Sequence, residues 1–176
     1  MDGTERAERS AAVCARIAAS GEFAAAKTVM LYRAMPDELD LGNLASAAMA
    51  AGKRLVYPRC VSKTELEALC PTDDTAWTRG HFGISEPDPD RSVSVPPEEI
   101  DLVVCPCAAF DETLARLGMG AGYYDRFLPR CSSAFIASAA FECQKRLSLP
   151  MEAWDVPMRC VFTEKAEYRS GGAQDY

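Results

Sequence analysis

Between Arg116 and Asp125 the chain reads Arg-Leu-Gly-Met-Gly-Ala-Gly-Tyr-Tyr-Asp, and no other stretch gathers so many residues able to do chemistry. Gly118, Gly120 and Gly122 alternate with Met119 and Ala121, then Tyr123, Tyr124 and Asp125 follow. Glycine admits positive φ and lets the backbone approach a ligand closely, and free N–H groups of such a loop can cradle an anion. Arg116 can add a bidentate positive charge, and Asp125 can hold a magnesium ion that shares phosphate charge. The pattern is neither the Walker loop nor GxGxxG after a first strand. Two readings stay open: a site for a nucleotide or phosphate ester, or a glycine-rich turn with no ligand.

The flanking elements must present this loop. Leu102-Val-Val-Cys-Pro106 before it is a short apolar run, read as a buried strand. After it, Tyr124, Phe127, Leu128 and Cys131 share the i, i+3, i+4, i+7 spacing of one helix face, and Pro129 limits that helix to about two turns. Upstream, Thr4 to Ser20 reads as an alanine-rich helix with Val13 and Ile17 inward, stopped by Ser20-Gly21. Thr28–Tyr32 is a strand, Pro36–Asp40 a loop with Asp40 as N-cap, and Leu44, Ala48 and Met49 the apolar side of a second helix ended by Gly52.

Lys53–Tyr57 is then a second strand closed by Pro58, and the βαβ unit so formed implies parallel pairing. Thr64–Cys70 is a further strand, Asp73–Pro97 is mostly loop, and Phe135–Phe141 is another strand. A short helix at Gln144–Leu147, a last strand at Val161–Thr163 and a disordered tail over 170–176 complete the reading. The sum is a three-layer, doubly wound α/β domain with a mainly parallel, Rossmann-like sheet over residues 1–169. Glu38 and the glycine loop both follow strands, so both should meet at the carboxyl edge.

At 176 residues the chain suffices for one such domain. Lys+Arg 19 against Asp+Glu 26 give a net charge of -7, with no basic cluster, which excludes nucleic acid as the expected partner but not small anions. No run reaches transmembrane length and the start MDGTERAERS has no apolar signal core, so no membrane partner and a cytoplasmic location are expected. The eight cysteines form no CxxC pair and are expected as buried reduced thiols. Pro106, between Cys105 and Cys107, marks a strand end. His81 reads as surface loop, and Trp77 and Trp154 as packing residues.

These residues resemble a known family. PCAAFDETLARLGMGAGYYDRFL is similar to the signature of the 5-formyltetrahydrofolate cyclo-ligases, which read P-G-x-A-F-D and then R-L-G-x-G-x-G-Y-Y-D-R. Pro36–Asp40, Gly52-Lys53 with Pro58-Arg59, and Phe82-Gly-Ile-Ser-Glu-Pro87 resemble other family landmarks in order, as do Gln144 and Asp155. The resemblance implies a NagB/RpiA/CoA-transferase-like fold, a monomer, and ATP- and magnesium-dependent cyclisation of 5-formyltetrahydrofolate to 5,10-methenyltetrahydrofolate. By the same resemblance Gly118, Met119, Gly120, Ala121, Gly122, Tyr123 and Tyr124 would wrap the ATP phosphates, with Arg116 balancing charge. Asp125 and Asp155 would bind magnesium, and Arg116 and Asp125 would serve catalysis. Glu38, Phe82 and Tyr123 would hold the folate.

The sequence also departs from that pattern. The family opens with a basic helix whose lysines and arginines reach the phosphates, and here Ala7-Glu8-Arg9-Ser10 already matches a later point, so a basic arm is expected to be missing. Ala121 stands where a positive φ would cost about 1 kcal/mol. Thr64–Glu67 lacks the family's methionine. The alternative to an active enzyme is therefore a non-catalytic folate or nucleotide binder.

Overall fold

The computed structural model describes residues 1–80 and 83–169, so the expectations for His81, Phe82 and the tail over 170–176 lie outside the described residues. Helix α1 (Gly3–Ala18) starts on Asp2, whose carboxylate accepts from the Glu5 amide at 2.8 Å, and buries Ser10, Val13, Cys14 and Ile17. Ser20-Gly21 does not simply stop it: Ser20 caps a second short helix, α2 (Gly21–Ala25), accepting from Phe23 N at 3.2 Å. Strand β1 (Thr28–Met30) is buried throughout. Helix α3 (Gly42–Ala50) buries Leu44 and Ala48, while Met49 is exposed. Its N-cap is Leu41. Asp40 lies one residue earlier than expected and accepts from Gly42 N at 3.0 Å.

Strand β2 (Arg54–Cys60) runs past Pro58, which needs no amide there because the pairing with β1 ends at Val56. Next come β3 (Leu66–Pro71), β4 (Trp77–Arg79), β5 (Ser85–Pro87) and β6 (Ser92–Ser94). Asp73–Pro97 is mostly loop as expected, but it also carries three short strands: β4 and β5 form a hairpin and β6 pairs with β3. Short strands rich in Pro, Ser and Asp carry too little apolar alternation to be read locally.

Strand β7 (Leu102–Cys105) ends before Pro106 as expected, and the hairpin β8 (Ala109–Phe110) and β9 (Arg116–Leu117) follows. Helix α4 (Tyr123–Phe127) runs into a 3-10 turn at Leu128–Arg130. Phe127, Leu128 and Cys131 are buried, while Tyr124 is half-buried. After β10 (Phe135–Ala139), the helix expected at Gln144–Leu147 is instead a 3-10 turn at Glu142–Gln144, because Arg146 N turns to bond Phe110 O at 2.8 Å. Strands β11 (Cys160–Phe162) and β12 (Glu167–Arg169) close the chain's sheet.

The main sheet has eight strands in the order β12-β11-β10-β7-β1-β2-β3-β6. Its centre, from β11 to β2, is parallel, whereas β12, β3 and β6 add on antiparallel. In chain order the parallel strands run 2-1-3-4-5, so the winding reverses between β1 and β7. Alternate residues feed two cores. Val29, Leu31, Leu55 and Val104 pack on α1, α2 and α3, and Met30, Val56, Val103 and Cys105 pack on Phe110, Phe127 and Leu128. The expected doubly wound α/β class holds, with one outer layer built from a hairpin and short turns. No described helix is long and apolar enough to cross a membrane.

Candidate active site

Where the winding reverses, loops leave neighbouring strands in opposite directions and a crevice opens at the carboxyl ends. Here it encloses about 840 Å³. Its walls are the loop after β1 from Tyr32 to Leu39, the end of β2, Ile84–Glu86, Pro106–Ala108 and the glycine loop running into α4. The glycine loop and Glu38, 80 and more residues apart, therefore do face one space.

Local geometry explains two of the loop's glycines. Gly120 has φ 88° and Gly122 φ 63°, values that favour residues without Cβ. Apart from Leu114, no described non-glycine residue has a positive φ, so Ala121 carries no backbone penalty. A side chain on Gly118 would stand 3.0 Å from Arg116 Nη1. Met119 at the loop is 73% exposed.

Arg116 and Asp125 do something other than face a ligand separately. The guanidinium is buried, donates from Nη2 to both Asp125 oxygens at 3.1 and 3.2 Å, and from Nη1 to Pro106 O at 3.3 Å. Its Nε is buried without a partner. Asp125 Oδ1 also accepts from Val156 N at 3.2 Å. The arginine thus holds the carboxylate at the cavity wall and brings the segment before β11 to it.

Glu38 is half-buried and its Oε2 accepts from Met35 N at 2.8 Å, which fixes the tight loop after β1. Tyr32 donates to Leu39 O at 2.9 Å. Burial first, then the Glu38 charge, pushes the Tyr32 phenol well above its ordinary value, and burial does the same for Tyr124. Both stay protonated near neutral pH, so neither is a base. Tyr123 lines the cavity and donates to Ser62 O at 3.1 Å, and Arg126 Nε donates to Thr64 O at 2.7 Å. Helix α4 is in this way tied to the β2–β3 turn.

Asp155 does not line the cavity. Its Oδ2 accepts from Glu152 N at 2.8 Å, and only its neighbour Val156 reaches Asp125. Among the described residues no group of three or more His, Cys, Asp or Glu side chains could cage a metal ion. All eight cysteines are free: Cys14, Cys105, Cys131 and Cys160 are buried, Cys143 is exposed and the rest are half-buried, so the expectation of burial holds for part of the set. Cys60 and Cys107 stand on the cavity wall, but burial pushes their thiols up to about 11 and about 12, which excludes a thiolate nucleophile.

Sequence reading missed two features. Gln144 Nε2 donates to Cys107 O at 2.6 Å and Ala108 O at 3.2 Å while Oε1 accepts from Phe141 N at 2.6 Å, pinning the loops after β7 and β10 together. Arg33 lines the cavity and stacks 4.4 Å from the Trp77 ring, which itself packs edge-on against Tyr57 at 4.9 Å. Trp77 is thus a packing residue as expected. Trp154 is not: it is 70% exposed, because the segment around it is held by backbone and carboxylate bonds rather than by a core.

The fold and the crevice define a class: a doubly wound α/β protein with a small-molecule site at its switch point. Comparison with known proteins narrows it. The model of the 5-formyltetrahydrofolate cyclo-ligase family matches residues 1–164, and the chain belongs to that family. It is 34% identical to the 5-formyltetrahydrofolate cyclo-ligase of Haemophilus influenzae over 137 residues, covering 76% of this chain and 73% of the relative. The Escherichia coli cyclo-ligase is 33% identical over 142 residues, 78% of each chain. The solved structure of Aquifex aeolicus 5,10-methenyltetrahydrofolate synthetase superposes with a TM-score of 0.85 at 31% identity, covering 100% of this chain and 88% of that one.

Proposed function

We propose that this chain is a 5-formyltetrahydrofolate cyclo-ligase that uses ATP to close 5-formyltetrahydrofolate to 5,10-methenyltetrahydrofolate. The observation that carries the reading is the shared cavity: the glycine loop and the Glu38 loop, the two stretches most like the family's, wall one space at the switch point. The chemistry needs both substrates there. A formamide oxygen leaves poorly as oxide. Transfer of the ATP γ-phosphoryl group to that oxygen makes it a phosphate ester, N10 bonds to the activated carbon and loses its proton, and the C–O bond breaks to release phosphate beside ADP.

Such a transfer is mostly positioning and charge neutralisation. In this reading Gly118 to Tyr124 wrap the phosphates, and Arg116 acts through Asp125, which it holds in place. Arg33, which makes no ion pair with a described residue, is the cavity-lining cation left for an anionic substrate. Glu38 and Tyr123 hold the folate, and Phe82 joins them by resemblance alone. The donor set fits a magnesium ion that arrives on ATP, since that ion takes one or two carboxylates plus phosphate oxygens and keeps its waters. Asp125, on the cavity wall, would hold it, whereas Asp155, which the family resemblance also suggests, does not line the cavity. When bound, the ion spreads the charge of the transferring group.

The same reading takes residues 1–169 as one domain, working as a monomer in the cytoplasm. The three-residue edge strand β6 supports the monomer, because a short edge pairs poorly with another copy. Free thiols support a reducing compartment.

The test is absorbance of the methenyl product from 5-formyltetrahydrofolate with ATP and magnesium added or withheld. Product that requires ATP is the expected result. Binding of ATP and folate by calorimetry without product would assign the chain as a non-catalytic binder. One observation favours that second reading: the arginines of α1 are engaged by protein groups, Arg6 by Asp37 at the cavity rim, Arg9 by Glu5 and Glu164 and Arg16 by Thr163 O, and none lines the cavity itself.

A further inference from the structure

Glu86 is a carboxylate on the cavity wall to which the reaction above gives no task. The residue is only 6% exposed. Among the described residues its donors come from Cys60 alone, the amide reaching Oε1 at 3.3 Å and the thiol standing beside the carboxylate, and no described Lys or Arg pairs with it. Its other oxygen lies over Gly80, where any Cβ would overlap Oε2. The position is fixed from both sides: Glu86 sits on β5 opposite Thr78 of β4, and Gly80 leaves the space it fills.

A buried carboxylate normally collects donors. Asp111 in this same chain shows how many: it is 2% exposed and accepts from Thr113 N, Thr113 Oγ1, Ala115 N and Leu149 N. Among the described residues Glu86, nearly as buried, is offered fewer donors than that, and it lines a cavity.

We propose that Glu86 reads the 2-amino-4-oxopyrimidine edge of the reduced pterin, accepting from N3–H and the 2-amino group through its two oxygens. The proposal rests on the folate reading above. That edge offers two parallel N–H donors at the spacing of a carboxylate, a charge-assisted bidentate match. A triphosphate offers acceptors only, and a carboxylate repels it. The neighbouring wall also suits a flat ring: Tyr57, Pro58, Leu66 and Ile84 line the same side. Glu86 would then fix the ring's orientation in the pocket.

The test measures calorimetric affinity for 5-formyltetrahydrofolate and for its 2-desamino analogue, with ATP affinity alongside, in the wild type, Glu86→Gln and Gly80→Ala. The wild type should prefer the parent folate by about 100-fold or more. Glu86→Gln should weaken the parent by about 10- to 100-fold. The same variant should flatten the preference while ATP affinity is retained. Gly80→Ala, which displaces the carboxylate without removing it, should move in the same direction, and thermal melts monitor folding of both.

Equal discrimination in wild type and variants overturns the proposal. So does a loss of ATP affinity in place of folate affinity, which would give the carboxylate to the ribose hydroxyls instead. A wild type that binds both folates without turnover refutes the cyclo-ligase reading and still decides the role of Glu86.

Discussion

Arg116 Nη2 lies 3.1 and 3.2 Å from the two oxygens of Asp125, and the arginine side chain is only 2% exposed. Residues that look like two independent ligand contacts in the sequence are one buried ion pair in the structure. Removing either partner strands the other, whereas replacing both need not cost anything.

Asp125→Ala should therefore abolish turnover and also lower stability, by about 3–5 kcal/mol for a stranded buried charge. Combining Arg116→Met with Asp125→Leu should recover much of the stability and none of the turnover. Urea midpoints beside methenyl formation check both. Recovery of activity in the double variant would remove Asp125 from the mechanism.

Asp111→Ala should destabilise the protein by about 2–4 kcal/mol, since several amide and hydroxyl donors lose their acceptor. Burial alone would raise the Asp111 carboxyl, but bonds from Thr113, Leu149 and Ala115 outweigh it and hold the pKa below the ordinary value. A depressed carboxyl stabilises above its unfolded pKa, about 4, and loses that contribution as pH falls through the lower folded value. The gap between wild type and variant in urea should be full at pH 7 and shrink on acidification below about 4. A gap that stays constant would rule out the linkage.

Substitutions in the glycine loop should divide by backbone angle. Gly120→Ala and Gly122→Ala force a side chain to positive φ at a cost of about 1–2 kcal/mol, and at Gly122 the new Cβ would also stand 2.9 Å from Arg126 Nη1. Both should raise KM for ATP. Ala121→Gly relieves no strain and should leave it unchanged. Steady-state kinetics with ATP varied will tell them apart.

Gln144→Ala should lower kcat and cost about 1–2 kcal/mol, because the loops after β7 and β10 lose their only shared side-chain staple among the described residues. Gln144→Glu turns the Nε2 donor into an acceptor facing two carbonyls and should be worse than alanine. Melting temperatures of the two variants give the comparison.

The parallel centre of the fold was legible because its strands are uniformly apolar and separated by glycine or proline. Thr28–Met30 and Leu102–Cys105 needed no long-range information. The β4–β5 hairpin was not, since Trp77–Arg79 and Ser85–Pro87 gain their pairing from each other and their packing from β2, not from local alternation. At the site, the meeting of Glu38 with the glycine loop followed from strand order alone. The pairing of Arg116 with Asp125 did not, as both residue types suit a ligand equally well. Arg33 on Trp77 and Gln144 on Cys107 are tertiary contacts with no signal in spacing.

The tie between α4 and the β2–β3 turn, from Tyr123 to Ser62 and from Arg126 to Thr64, joins the two halves of the cavity mechanically. Any shift of α4 when the glycine loop fills is also a shift of the wall that carries Cys60. Thermodynamic reciprocity then applies: whatever factor ATP adds to the affinity for folate, folate must add to the affinity for ATP. Two substrates that meet only at the transferring phosphoryl group would be coupled through the protein as well.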